Sequence, residues 1–135
     1  MPAGYSGTPL AKKLGIRAGD TVVLVGGPDG FEDELEGLPD GVTVKRRAGG
    51  KPQVVVLFTT KAADLERRFD PLAKSIFPDG SLWIAWPKKS SGVPTDVDEN
   101  LLRDVVLPHG LVDNKVCAIN DVWSGLRFVW RRENR

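Results

Sequence analysis

The sequence has little cysteine and little histidine, and these shortages exclude several kinds of chemistry. Its 135 residues include one cysteine and one histidine. A single cysteine cannot form an internal disulfide, and this is typical of a protein from a reducing compartment. One cysteine and one histidine cannot supply the ligands of a thiolate or imidazole metal centre. The sequence therefore predicts no bound zinc or iron. It does not exclude a Mg²⁺ ion bound by carboxylates.

The sequence also lacks a charge excess of either sign. Nineteen basic and eighteen acidic side chains give a formal net charge of +1. A chain so close to neutrality lacks the overall basic field that non-specific nucleic-acid binding needs, so nucleic acid is not the expected partner. Local clusters are basic at 45–51 and 127–135 and acidic at 29–36. We interpret them as solvated surfaces, with nucleic-acid contact through the C-terminal arginines as the open alternative.

Long hydrophobic runs are missing as well. The apolar runs are too short to cross a bilayer, which predicts that no segment spans a membrane. The segment Met1–Ser6 has no charged stretch followed by an apolar one, so it does not have the pattern of a signal peptide. These features predict a cytoplasmic protein without a membrane partner.

Short apolar runs alternate with helical patterns along the chain, which predicts one α/β domain over residues 1–135. We expect a three-layer, mostly parallel sheet in the order 2-1-3-4-6-5, with an antiparallel C-terminal strand pair. The connection between the last two strands, residues 121–125, has the size of a hairpin loop. The strands are expected near residues 21–25, 42–44, 53–58, 82–86, 114–119 and 126–131.

Helix starts and stops are predicted from capping residues. Thr8 should cap the first helix, and Gly15 should end it. A short acidic helix should cover residues 31–36. Thr60 should cap a third helix whose apolar stripe runs to Ile76, with a kink or restart at Pro71. Asp96 and Glu99 form the pattern of a capping box and should open the fourth helix.

Several segments resemble a known family. Residues 4–16, 82–89, 110–118 and 123–126 resemble the start, middle and end of the bacterial family DUF 3052, found mostly in actinobacteria. The resemblance covers nearly the whole chain. It implies membership of that family and brings no catalytic residues with it.

A weaker resemblance is to the class I S-adenosylmethionine-dependent methyltransferases. Residues 13–20 leading into 22–27 resemble the opening of those enzymes, with a strand that runs into a glycine-rich turn. The family usually has an acidic residue near the end of the first strand, where this chain has Val25. It usually holds the ribose with an acid at the end of the second strand, where this chain has residues 45–47, Lys-Arg-Arg. The resemblance therefore implies a Rossmann-like fold and leaves methyl transfer unsupported.

The candidate site follows from the predicted topology. Ligands of open α/β sheets bind outside the carboxyl ends of the parallel strands, where residues 26–30, 59–61, 87–92 and 121–125 should meet. Lysines there would supply positive charge, glycine amides would supply donors, and a tryptophan would supply a flat apolar wall. The expected ligand-binding residues are Gly27, Asp29, Lys88, Lys89, Ser91, Trp123 and Ser124.

The sequence contains no pair of catalytic carboxylates, no Cys–His pair in a catalytic arrangement and no complete cofactor fingerprint. It therefore favours a non-catalytic binder of an anionic or nucleotide-like small molecule, and it identifies no cofactor. A protein–protein interaction module on a degenerate methyltransferase-like scaffold is one alternative. A small S-adenosylmethionine-dependent enzyme is the other.

Overall fold

The computed structural model describes residues 8–135. The signal-peptide prediction for Met1–Ser6 and the first part of the 4–16 segment lie outside this range. The strands are β1 (Thr21–Val25), β2 (Thr43–Lys45), β3 (Val54–Phe58), β4 (Ser81–Pro87), β5 (Leu111–Ala118) and β6 (Trp123–Trp130). The α-helices are α1 (Leu10–Lys13), α2 (Ala62–Ser75) and α3 (Glu99–Val106). Short 3-10 turns cover Phe31–Glu34, Lys89–Ser91, Leu107–His109 and Arg132–Asn134.

The six strands form one sheet in the order β2-β1-β3-β4-β6-β5. β1 is parallel to β2 and β3, and β3 is parallel to β4. β6 is antiparallel to both β4 and β5. The predicted α/β class, the strand order and the antiparallel C-terminal pair are confirmed. Every residue of β3 and β4 is buried, as the continuous apolar runs of strands covered on both faces require.

Each face of the sheet is covered by its own apolar cluster. On the first face, which we call the α2 face, α2 and α3 pack through residues such as Leu65, Phe69 and Leu102. On the opposite face, the α1 face, α1 packs beside the 3-10 turn that begins at Phe31. Alternate side chains of the strands divide between the two clusters, as the period-two geometry of a strand requires. The result is the three-layer arrangement expected from the sequence.

The predicted restart of the helix at Pro71 is wrong. α2 runs without interruption from Ala62 to Ser75, with Pro71 inside it on the exposed side. Its buried stripe, Leu65, Phe69 and Leu72, continues in register through the proline. Proline removes one N–H donor, but the apolar burial on both sides of it holds the helix together.

The predicted caps are also wrong in their details. Pro9, not Thr8, is the N-cap residue of α1, and Lys61, not Thr60, is that of α2. Asp96 caps the third predicted helix instead of the fourth, because its Oδ1 accepts a hydrogen bond from the Ala62 N–H at 2.8 Å. α3 begins two residues later than a cap at Asp96 would place it, with Asp98 Oδ1 accepting from the Leu101 N–H at 2.8 Å. The segment before α3 is therefore folded against the start of α2.

The hairpin between β5 and β6 is shorter and placed earlier than predicted. β6 begins at Trp123, so Trp123 and Ser124 belong to a strand and not to a loop. The Asn120 side chain makes the turn, since its Oδ1 accepts hydrogen bonds from the N–H groups of Val122 and Trp123 at 2.9 Å each. An asparagine that binds the backbone two and three residues ahead closes a turn tightly, and the strand can start immediately after it.

Within residues 8–135, no helix is both long and apolar enough to cross a membrane.

Candidate functional site

The segments expected to form a site meet at one edge of the sheet. Trp123 is paired with Pro87, and the backbone N–H of Lys88 donates to the Val122 carbonyl at 2.7 Å. The rings of Phe58 and Trp123 pack edge to face with centroids 5.1 Å apart. Phe58 also lies against Gly27, where an added Cβ would come 2.7 Å from the ring. The ends of β1, β3 and β4 and the start of β6 therefore form a single surface.

A cleft of about 170 Å³ opens on this surface. Its walls come from the ends of β1 and β3, the first turns of α2 and the start of β6. The lining residues are Gly26, Phe58, Thr59, Thr60, Asp64, Arg68 and Trp123. Sites for drug-sized ligands usually enclose roughly 300–1,000 Å³, so this cleft has room for a small molecule or for one group of a larger one.

The cleft contains one cation without an acidic partner. Asp64 Oδ1 accepts a hydrogen bond from Arg67 Nη2 at 2.9 Å, so this carboxylate is paired with an exposed arginine outside the cleft lining. Arg68 is partly buried and forms no ion pair in the part of the chain that the structure describes. The Arg68 Nη1 lies against the end of β1: a Cβ added to Gly26 would be 3.4 Å from this nitrogen. A guanidinium in this setting can bind an anion with two hydrogen bonds.

Gly26 is required by the close approach of β1 and β3. Its φ of +71° lies in the left-handed region, and a Cβ would come 2.9 Å from the Phe58 carbonyl oxygen. Any larger residue would push the two strand ends apart. The glycine therefore allows the backbone of β1 to form the floor of the cleft.

The glycine-rich turn after β1 is held by Arg46. The Arg46 Nη2 donates to the Pro28 carbonyl at 2.8 Å, and Nη1 donates to the Gly27 carbonyl at 3.3 Å. Its Nε donates to Glu32 Oε2 at 2.8 Å. One guanidinium therefore joins the end of β2 to the glycine-rich turn and to the 3-10 turn that follows it. The hydrogen bond from Arg46 lowers the pKa of Glu32 to about 2.

We expect Arg46→Gln to return the pKa of Glu32 toward its ordinary value of 4.5. The pKa of Glu32 is lower in the folded protein than in the unfolded chain. The Arg46–Glu32 ion pair therefore stabilises the folded state above pH 4.5, and this stabilisation is lost as the pH falls toward 2. An NMR titration of the Glu32 carboxyl measures the shift. Arg47→Gln, a charge removal at the next residue, should leave the titration unchanged. Equal Glu32 pKa values in the parent and in Arg46→Gln would contradict the pairing.

Among the seven residues predicted from the sequence, Trp123 lines the cleft. Gly27 is next to it beneath the Phe58 ring, and its carbonyl is bound by Arg46. Asp29 is exposed on the same turn, near the Arg46 charge. Ser124 pairs with Trp86, and because neighbouring strand residues point to opposite faces, it lies on the α2 face while Trp123 lies on the α1 face.

The predicted anion cradle at residues 88–91 lies on the correct edge but outside the lining of the cleft. The Ser91 hydroxyl donates to the Lys88 carbonyl at 2.6 Å and accepts from the Val93 N–H at 3.2 Å. It therefore closes the local 3-10 turn. Lys88 and Lys89 form no ion pairs within residues 8–135.

Sequence reasoning missed the residues that α2 contributes. Asp64 and Arg68 are four residues apart and thus lie on one side of the helix, beside the buried stripe. A charged pair with this spacing in the first turns of a helix that follows a parallel strand is a usable signal. In the described residues, no group of three or more His, Cys, Asp and Glu side chains is arranged to hold a metal ion.

Comparison with solved structures identifies the fold. The DhpI–SAH complex matches with a TM-score of 0.63 and 13% identity over 90% of this chain and 81% of that chain. A SAM-dependent methyltransferase from Aquifex aeolicus gives 0.60 and 14%, covering 88% and 86% of the two chains. The ribosomal protein L11 methylase from Lactobacillus delbrueckii subsp. bulgaricus gives 0.58 and 13%, covering 91% and 76%. The chain thus has the Rossmann-like fold of S-adenosylmethionine-dependent methyltransferases.

No protein-family model and no curated protein matches the sequence. The structural matches, each under 15% identical, show the fold alone.

The site residues do not fit the way in which methyltransferases usually hold S-adenosylmethionine. Val25 and Arg46 stand at the two strand ends where the resemblance implies acidic residues. The Arg46 guanidinium is instead engaged with the turn carbonyls. Phe58 fills the space above Gly27, and the remaining cleft of about 170 Å³ is small for a nucleoside cofactor.

Proposed function

We propose that this protein is a non-catalytic binder of a small anionic molecule, built on a methyltransferase-like fold. The observation that carries this proposal is the Arg68 guanidinium, which lines the cleft and forms no ion pair with any residue of the described range 8–135. A planar guanidinium binds a phosphate or carboxylate through two parallel hydrogen bonds. The backbone of Gly26 beside it leaves room for the anion to approach.

The shape of the cleft limits the ligand to a small anionic group with a short or flat body. Phe58 and Trp123 form an apolar wall that suits a ring or a short carbon chain. The Thr59 hydroxyl already donates to the Lys61 carbonyl at 3.0 Å, so Thr60 is the free hydroxyl on the lining. A larger, nucleotide-like ligand would place its anion at Arg68 and extend outward toward Lys88 and Lys89.

The cleft lining supports a binding role more than a catalytic one. Its one acidic side chain, Asp64, is paired with Arg67. The single histidine packs against Phe69 with ring centroids 4.9 Å apart, away from the described lining. Burial raises the pKa of the Cys117 thiol and outweighs the opposite effect of the nearby lysines, so the thiol stays protonated. General acid–base or nucleophilic chemistry would need an activated group at the cleft.

We expect Arg68→Gln to weaken anion binding at least about tenfold, because hydrogen bonds to a charged group contribute about 1.5–3 kcal/mol. Isothermal titration calorimetry with inorganic phosphate, AMP, S-adenosylmethionine and SAH measures the affinities of the parent and the variant. Arg132→Gln, which removes the same charge from an exposed turn, is the matched control and should change the affinity less than twofold.

The outcomes separate the candidate functions. Binding that Arg68→Gln weakens and Arg132→Gln does not supports the proposed anion site. If the two variants lose affinity equally, or if none of these ligands binds, the anion site is wrong and an interaction module becomes the better reading.

The second candidate is an S-adenosylmethionine-dependent enzyme, and the shared fold favours it. It predicts that S-adenosylmethionine binds in preference to AMP and phosphate. It also predicts that Arg46→Gln strengthens this binding, since Arg46 stands where such enzymes usually have an acid. Preferential binding of S-adenosylmethionine that is independent of Arg68 would support the enzyme and contradict the proposed anion site.

A further inference from the structure

The α1 face of β5 and β6 carries a group of cations that the proposed function does not use. Lys115 of β5 lies directly opposite Arg127 of β6, and Arg127 lies opposite Trp83 of β4 in the same row across the sheet. Trp83 belongs to the cluster on the α1 face, and directly opposed antiparallel residues share a face. Both cations therefore project from the α1 face.

Two further cations come from the end of α1 and the turn after it. The Lys115 ammonium donates to the Lys13 carbonyl at 2.9 Å, which brings the two lysines together. Burial lowers the pKa of Arg127, and the positive charge of Arg17 nearby lowers it further. We call Lys13, Arg17, Lys115 and Arg127 the cationic face.

The cationic face has no compensating acidic side chain in an ion pair. None of its four members forms a salt bridge in the described part of the chain. Arg127 Nη1 donates to a neutral acceptor, Asn114 Oδ1, at 3.1 Å. Asp20, the acid nearest in sequence to Arg17, accepts from its backbone N–H at 2.8 Å. Asp113 of β5 is bound to Arg103 of α3, on the other face of the sheet.

We propose that the cationic face binds the phosphate backbone of nucleic acid without sequence preference. Four neighbouring cations, two from the sheet and two from α1 and the turn after it, offer several phosphate contacts at once. Guanidinium and ammonium groups are the usual partners of backbone phosphates. The net charge of +1 conceals this face because acidic residues offset its charge. The 3-10 turn with Glu32, Asp33 and Glu34 also lies on the α1 face, but beside the β5–β6 turn, where the Asn120 amide donates to Glu34 Oε1 at 2.9 Å. Local charge separation, and not net charge, sets the field at a binding surface.

The surface favours nucleic acid over a lipid bilayer. Peripheral membrane proteins combine cations with apolar side chains that enter the bilayer. The exposed large apolar residue of β5, Val116, lies opposite Leu126 on the α2 face of the sheet. Among the described residues, the cationic face thus has charge for phosphates and no exposed large apolar side chain for insertion.

The test is the salt dependence of binding to a fluorescein-labelled duplex of about 20 base pairs, followed by anisotropy between about 25 and 200 mM NaCl. Four phosphate contacts predict that log Kd rises with log salt concentration with a slope of about 3.6. Lys13→Gln/Lys115→Gln should reduce the slope by about 1.8. This double variant keeps the half-buried Arg127 and removes one exposed hydrogen bond, so we expect it to fold like the parent.

The matched control is Arg132→Gln/Arg135→Gln, which removes two exposed arginines from the C-terminal turn. It should leave the slope within about 0.5 of the parent value. Absence of duplex binding at about 25 mM salt would overturn the proposal, as would an equal loss of slope in the control. Binding to phosphatidylserine vesicles without binding to the duplex would assign the face to a lipid surface instead.

This proposal is independent of the cleft. Arg68→Gln should leave duplex binding unchanged, and Lys13→Gln/Lys115→Gln should leave binding of small anions unchanged. Either function can therefore fail without affecting the test of the other.

Discussion

Replacement of Trp83 by alanine should lower the free energy of unfolding by about 3–5 kcal/mol. Trp83 is completely buried in the middle of β4, and it is among the largest side chains of the core. Its indole Nε1 donates to the Leu14 carbonyl at 3.0 Å and so ties the end of α1 to the sheet. The substitution removes the ring, leaves a cavity and deprives a helix-end carbonyl of its donor.

Urea denaturation followed by far-UV circular dichroism measures this loss. Trp83→Phe keeps most of the volume and isolates the contribution of the Leu14 hydrogen bond. Trp130→Ala is the matched control, because Trp130 is only half-buried although its Nε1 also donates to a backbone carbonyl, that of Ala73, at 2.9 Å. A Trp83→Ala variant that lost no more stability than Trp130→Ala would show that burial on the α1 face does not dominate the stability of the fold.

The sheet could be predicted from the sequence because its strands carry strong local signals. Val54–Phe58 is apolar without interruption, as a central parallel strand requires. The short connection before β6 forces an antiparallel pairing with β5, and right-handed crossovers then fix the remaining order. These rules act on whole elements and do not depend on single contacts.

The helix ends and Pro71 could not be predicted because they depend on tertiary contacts. Asp96 has the sequence neighbours of a cap for the helix that follows it, yet it caps α2, 34 residues earlier in the chain. No local pattern indicates that the two segments are adjacent. Likewise, a proline predicts that the helix ends and restarts, unless the burial of Leu65, Phe69 and Leu72 along one continuous stripe is known.

The edge of the sheet that carries the cleft was predictable, whereas most of the cleft lining was not. Topology places residues 26–30, 59–61 and 87–92 at the carboxyl ends of the strands, and the structure brings them there. Which side chain faces the cleft depends on how α2 is rotated about its axis and on which strand residues point to each face of the sheet. Arg68 faces the cleft because α2 packs its Leu65 and Phe69 stripe on the sheet. Ser124 turns away because β6 begins at Trp123, three residues earlier than predicted, so that Trp123 and Ser124 are strand neighbours on opposite faces.

Replacement of Phe58 by alanine should have the second large effect, a loss of about 3–5 kcal/mol in the free energy of unfolding. Phe58 ends β3 and is 4% exposed. Its ring packs edge to face with Phe31 at 4.9 Å and with Trp123 at 5.1 Å between centroids, and it covers Gly27. Without it, the space over the glycine-rich turn joins the cleft, and the Trp123 indole gains access to water.

Two measurements check this result together: urea denaturation for the stability, and acrylamide quenching of tryptophan fluorescence for the access to Trp123. Phe69→Ala is the matched control, because Phe69 is equally buried on the α2 face, away from the described cleft lining. It should cost a similar free energy and leave the quenching near the parent value. If both variants increase the quenching equally, or if Phe58→Ala costs less than about 1 kcal/mol, then Phe58 is not the side chain that limits the size of the cleft.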